Sequence, residues 1–279
     1  TLSRSSAASD VYKRQTTSSG GLASNYNLTS AALTINEKVL NSNSSRIYNA
    51  TTTAAASDIT LTNQVSGETL QLSNSAATSS KNVGSYSISN LSGVTISDQA
   101  GANASSGALA ANYTLTGGTH SFAINPKAVN ITGTRQYDGT TNIPASDISG
   151  ITGTVNTETL TMSSGLGSTS SADVGTYNLT DTSAGTLALG NGSNGGLASN
   201  YTLTGGTQDY TITQRVLNSS GSKIYDANTN ALAGVITLSN LVSGEALNHS
   251  GTATISSANA GSYTISNLSG ISIADGSGG

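Results

Sequence analysis

The sequence predicts an all-β chain of tandem immunoglobulin-like β-sandwich repeats, each about 88 residues long, near the size of such a sandwich. Three observations predict it. Apolar and β-branched residues alternate with polar ones over short stretches, as in Tyr86 with Ile88 or Leu160 with Met162, and no stretch holds a helical period. Glycine and asparagine punctuate these stretches where turns are needed. The same landmarks return three times in fixed order. β-Grasp-like repeats and a β-solenoid are the alternative arrangements, and the period is too long for one coil of a solenoid.

The landmarks set the period. Residues 197–207, Leu-Ala-Ser-Asn-Tyr-Thr-Leu-Thr-Gly-Gly-Thr, have a close copy at 109–119 and a worn one at 22–29, so their tyrosine falls at Tyr26, Tyr113 and Tyr201 in steps of 87 and 88 (113 − 26 and 201 − 113). Tyr48, Tyr137 and Tyr225 each open a Tyr-Asp/Asn-Gly/Ala turn that carries Asp138, Gly139 and Asp226. Glu68, Glu158 and Glu245 each precede a strand, and Tyr86, Tyr177 and Tyr263 each close an Asp/Asn-x-Gly-x-Tyr motif. A tyrosine at such a corner can bond back to the backbone and pin a crossing between sheets.

Taken in order, residues 1–15, above all Asp10-Val-Tyr-Lys-Arg-Gln15, look like the in-frame translation of a sequencing adapter and match no repeat. Without them the chain has 7 basic residues (10 − 3) and 13 acidic ones (14 − 1), a net charge of −6. Residues 16–37 read as the closing hairpin of a preceding repeat. Residues 38–126 and 127–214 read as two whole domains, and 215–279 as a truncated third with an open sheet edge. Each unit starts on Lys38, Lys127 or Arg215 directly after the previous closing strand, so linkers are very short. In residues 197–212, Gly205-Gly206 reads as a two-residue hairpin turn that sets Tyr201 opposite Tyr210, and likewise Tyr113 opposite Phe122. Tyr86, Tyr113, Tyr177 and Tyr201 are expected in the core. The segments 101–107 and 190–196 are expected as exposed loops.

Composition narrows the function classes. A charged fraction of 9%, far below the roughly 25% of ordinary domains, leaves no basic patch for nucleic acid. There is no cysteine, no apolar run long enough for a membrane span, and no visible signal peptide. His120 and His249 occupy unrelated positions, with His249 replacing Leu72 and Met162 of the other repeats, so neither reads as a metal ligand. No second carboxylate recurs with the repeated glutamates, because Asn49 stands where Asp138 and Asp226 do. The glutamates therefore read as structural partners of Arg46, Arg135 or Lys223, with a weak calcium site as the lesser option. A Lys-to-Asn crosslink fails because the unit-starting lysine becomes Arg215. No Gly-x-Ser-x-Gly elbow pairs with a histidine. No catalytic residue, cofactor or metal ligand is expected.

The Tyr-Asp-Gly-Thr at 137–140, Glu-Thr-Leu-Thr at 158–161, Val-Gly-Thr-Tyr at 174–177 and Asn-Tyr-Thr-Leu-Thr-Gly-Gly at 200–206 resemble the YDG-type and related glycine-rich β repeats of large bacterial haemagglutinin-like (filamentous) adhesins. The resemblance implies a secreted or outer-membrane-associated stalk of repeated domains that presents an adhesive region, with no catalytic residues. The expected partners are neighbouring repeats, and surface receptors or glycans reached through other parts of a longer protein. A different class of function, carbohydrate-binding repeats in a secreted enzyme or adhesin, needs tyrosines that face solvent.

Overall fold

The computed structural model describes residues 25–29, 32–99, 109–179 and 184–278. Residues 1–15, expected as a sequencing-adapter translation, and residues 101–107, expected as an exposed loop, lie outside the described residues. The described residues form strands joined by turns and single 3-10 turns, with no α-helix among them. Strands lie at or beside the places that alternation marks, including Gln71–Ala77, Leu160–Ser164, Gly84–Ser87, Gly175–Asn178 and Ile236–Ser239.

The first two units share one plan. In the first, a four-stranded sheet runs in the order Leu61–Thr62, Asn41–Ile47, His120–Asn125, Gly84–Ser87, and a three-stranded antiparallel sheet holds Thr53–Ala55, Gln71–Ala77 and Val94–Ser97. The two central strands of the larger sheet, the opening and closing strands of the unit, run parallel from Ser42 beside His120 to Ile47 beside Asn125. The buried side chains come from both sheets and the residues next to their strands: Ala54 and Ala76, with Leu70 just before Gln71–Ala77, on one side, and Phe122 and Ile124, with Ile88 just after Gly84–Ser87, on the other. The second unit repeats the central pairing, with Asn130–Gln136 parallel to Gln208–Thr213, and buries Tyr210 and Ile212 beside Ile143 and Leu179.

This pairing corrects the hairpin expected around Gly205-Gly206. Tyr201–Thr202 pairs in parallel with Lys127–Ala128, and after the turn Gln208–Thr213 continues in the same direction along Asn130–Gln136. The chain therefore does not reverse. It bulges: the offset between partners rises from 74 (201 − 127) to 77 (208 − 131), so three extra residues loop out of one strand. The first unit shows the same increase, from 75 (113 − 38) to 78 (120 − 42). The aromatic opposite Tyr210 is Tyr177, and the one opposite Phe122 is Tyr86. Only Gly205 has a positive φ, +80°, whereas Gly206 is required by closeness, since a Cβ there would lie 2.0 Å from the Val129 carbonyl oxygen. His120 and Gln208 brace the two bulges from inside, with Nε2 2.9 Å from the Leu115 carbonyl oxygen in one and Nε2 donating to the Leu203 carbonyl at 2.7 Å in the other. His120 is thus a packed core residue.

The segment 190–196 is exposed from residue 191 to 195, as expected, but it is held in place. It finishes the strand Ala188–Asn191 and folds onto Thr159, so tightly that Gly196 is buried and a Cβ on it would lie 1.8 Å from the Thr159 carbonyl oxygen.

In the third unit, Asn218–Gly221 pairs antiparallel with Ile236–Ser239 and has no parallel neighbour among the described residues. At the other end of the chain, residues 32–37 form no strand, and Leu33 and Ile35 are 87% and 89% exposed.

Candidate functional site at the junction between repeats

Alternation along Asn41–Ile47 turns Ser42, Ser44 and Arg46 inward, and the next inward position is Tyr48 at the end of the unit. A turn fixes it there. Asn49 Oδ1 accepts from the backbone N–H of Thr51 at 3.2 Å and from its hydroxyl at 3.0 Å; Asp138 does the same for Thr140 at 3.0 Å each. The third residue of the motif takes a left-handed φ in every unit, 62° at Ala50, 76° at Gly139 and 61° at Ala227. Glycine meets that demand without strain, and alanine meets it at a cost of about 1–2 kcal/mol.

The basic residue two positions before each tyrosine wraps this turn. Arg46 donates to the carbonyls of Thr51 and Thr53, Arg135 pairs with Asp138 and donates to the Thr140 carbonyl, and Lys223 lies 2.8 Å from Asp226. Burial pushes the Asp138 pKa up, but the bonds from Arg135 and Thr140 outweigh it and hold the carboxyl below its usual range. These cations do not pair with Glu68, Glu158 or Glu245, so the expected glutamate ion pairs are corrected.

The glutamates instead meet tyrosines. Each sits at the end of a tight turn, where the Glu158 N–H donates to the Val155 carbonyl at 3.0 Å, as Glu68 does to Val65 and Glu245 to Val242. Glu158 is 6% exposed. Its Oε2 accepts from Tyr201 of its own unit at 2.6 Å, and its Oε1 accepts from Tyr48 of the preceding unit at 2.8 Å. The two rings meet edge to face with centroids 5.4 Å apart. Lys81 of the preceding unit comes within 3.8 Å of Glu158 Oε1, adding a partly exposed counter-charge. The parts recur: Tyr113 donates to Glu68 within the first unit, and Tyr137 of the second reaches Glu245 of the third. Burial and the carboxylates together favour the neutral form of these phenols. Burial, then the bond to Glu158, raises the Tyr48 pKa and pushes Tyr201 up to about 12, while the bond to Glu245 and then burial raise Tyr137.

Two further contacts close the first junction. Asn200 of the second unit, fully buried, accepts from the Val83 N–H at 2.9 Å and donates to Asn82 Oδ1 at 3.1 Å. Apolar Val129, Leu160 and Tyr201 of the second unit belong to the same buried cluster as Tyr48 and the core of the first, whereas Ile143, Leu179, Tyr210 and Ile212 form a separate cluster within the second unit. At the second junction a Cβ on Gly139 would stand 2.9 Å from Val242 Cγ1.

The remaining repeat tyrosines separate by role. Tyr86 and Tyr177 donate to the carbonyls of Asn82 and Asp173, four residues back, at 2.6 Å, and their rings cover Gly84 and Gly175. Both rings are half-buried rather than inside, whereas Tyr113 and Tyr201 are buried at 4% and 5%. Tyr263 is 39% exposed and Tyr225 64%. His249 sits in the strand Ala246–Ile255 with Nε2 2.9 Å from the Ile236 carbonyl oxygen. Among the described residues, no three His, Cys, Asp or Glu side chains group as a metal site, and no helix is long and apolar enough to cross a membrane.

Sequence reasoning found the glutamates and tyrosines but did not join them, because Tyr48 and Glu158 lie 110 residues apart. That both types recur once per unit was the available signal. No curated protein and no solved structure matches the chain. The family model for the YDG domain matches residues 29–121, 123–212 and 208–279, and the chain therefore belongs to the YDG domain family, in three tandem copies.

Proposed function

We propose that the chain is a non-enzymatic stalk segment of a large bacterial surface adhesin, whose repeats hold an adhesive region away from the cell. The observation that carries this reading is the Tyr48–Glu158–Tyr201 junction, where a buried carboxylate and a shared apolar core join one repeat to the next. A spacer needs fixed joints more than it needs pockets, and a joint of this kind resists bending because the Tyr48 hydroxyl would lose its buried partner in the next unit. The parallel central strands favour a β-grasp-like unit over an immunoglobulin-like sandwich, whose sheets are antiparallel. The carbohydrate-binding reading needs outward aromatic rings, yet Tyr48, Tyr113, Tyr201 and Tyr210 are buried. Small-angle scattering on the chain and on Glu158→Ala tests the spacer: a stiff profile that softens in the variant is expected, and equal flexibility in both would overturn it. A glycan array tests the sugar-binding reading separately.

A further inference from the structure

The first two units are each entered and left on neighbouring strands that run the same way. In the first, the chain enters at Lys38, beside Tyr113, and leaves after Asn125, beside Ile47. Six consecutive residue pairs, from Ser42 with His120 to Ile47 with Asn125, join the two strands. The ladder ends on the Tyr48 N–H, which donates to the Asn125 carbonyl at 2.9 Å. The second unit repeats the arrangement. It is entered at Lys127, beside Tyr201, and left after Thr213, beside Gln136, and its ladder ends on the Tyr137 N–H, 2.9 Å from the Thr213 carbonyl oxygen. Only Pro126 separates the closing strand of one unit from the opening strand of the next, so tension passes between them without slack.

In such a parallel pair, the point of entry and the point of exit lie at opposite ends of the ladder. A pull along the chain draws the two strands lengthwise in opposite directions, and their hydrogen bonds are strained together. Antiparallel neighbours would put both points at one end, where bonds break one at a time. Both strands are also keyed into the interior. Leu40, Phe122 and Ile124 in the first unit, and Val129, Ile131, Tyr210 and Ile212 in the second, are buried and would have to move with a sliding strand. We propose that each unit is a shear clamp whose function is to bear tension along the chain. This goes beyond the stalk reading, because a repeat can resist bending and still open bond by bond when pulled.

Single-molecule pulling on the full chain tests this. Forced opening reads the unfolding barrier, so one fold can be strong in one direction and weak in another. Pulled by its two ends, the chain should open the first two units in single high-force steps. The first step length corresponds to 88 residues (125 − 38 + 1), about 300 Å of extended chain before the folded span is subtracted. The chain has no cysteine, so one introduced thiol gives a second point of attachment. In Ile47→Cys, pulled from the thiol and the C-terminal end, the first unit is loaded across Ile47 and Asn125 at one end of its ladder. It should peel apart at several-fold lower force, while the second unit keeps its high-force step as an internal reference. Gln136→Cys should weaken the second unit in the same way, loaded across Gln136 and Thr213. Both substituted side chains are exposed, and melting should match the unaltered chain. Equal forces in the two directions, or gradual opening of the end-pulled chain, would each overturn the proposal.

Discussion

Replacing Glu158 with alanine removes the acceptor of two buried hydrogen bonds at once. Tyr48 and Tyr201 are 1% and 5% exposed, so neither hydroxyl gains water in exchange. The Tyr201 oxygen keeps its bond from the Val155 N–H at 3.0 Å, but its proton is stranded, and Tyr48 loses its acceptor. At about 1.5–3 kcal/mol for each bond to a charged group, the change costs about 3–6 kcal/mol, about half of it at the joint, where the Tyr48 bond crosses between units. Calorimetry reads the result. The first two units share a buried cluster and should melt together in the native chain; in Glu158→Ala the transition should fall and split as the units uncouple. A double-mutant cycle of Tyr48→Phe with Glu158→Gln isolates the pair, with an expected coupling of about 1–3 kcal/mol. An unchanged melting curve together with zero coupling would refute the claim that this carboxylate joins the repeats.

Alkaline titration gives a second check. Tyr48, Tyr137 and Tyr201 have pKa values raised above 10 in the folded state, so their contribution is complete below pH 10 and is lost as pH rises through the folded values, near 12 for Tyr201. Stability by denaturant titration should therefore decline from pH 10 upward, and less steeply in Tyr201→Phe. Ala50→Gly should raise stability by about 1 kcal/mol by relieving a left-handed alanine, whereas Gly206→Ala should lower it, because its Cβ meets the Val129 carbonyl; thermal melts decide both. His120→Gln should be tolerated within about 1 kcal/mol, since Gln208 makes the same bond to its bulge; a larger loss would show that the imidazole has another duty. Exchanging calcium for EDTA should leave melting unmoved, and a shift would place an ion at Asp138, Asp226 or the glutamates.

The strands and the repeat were legible because alternation and recurrence are local properties of the sequence. The direction of pairing was not. A Tyr-x-Leu stretch, a Gly-Gly turn and a Tyr-x-Ile stretch fit a hairpin as well as they fit a bulge in one strand, and only the opening strand 74–78 residues earlier decides between them. The glutamate partners were hidden for a related reason. Charge pairing made Arg135 the natural partner of Glu158, but the arginine is consumed by its own turn at Asp138, three residues away, while an uncharged phenol from another repeat takes the carboxylate. The tyrosine corners, by contrast, bond only four residues back, and the Asp/Asn-x-Gly-x-Tyr spacing signalled them.

Tyr48 and Glu158 carry a consequence for how such genes change. Each unit offers the same phenol at one end and the same carboxylate at the other, so the fit between neighbours does not depend on which copies are adjacent. Recombination that gains or loses a whole copy would join a familiar tyrosine to a familiar glutamate, and the length of the protein could drift by entire repeats without any compensating substitution. A deletion out of phase with the period would instead strand a buried carboxylate, and selection would remove it as a folding defect.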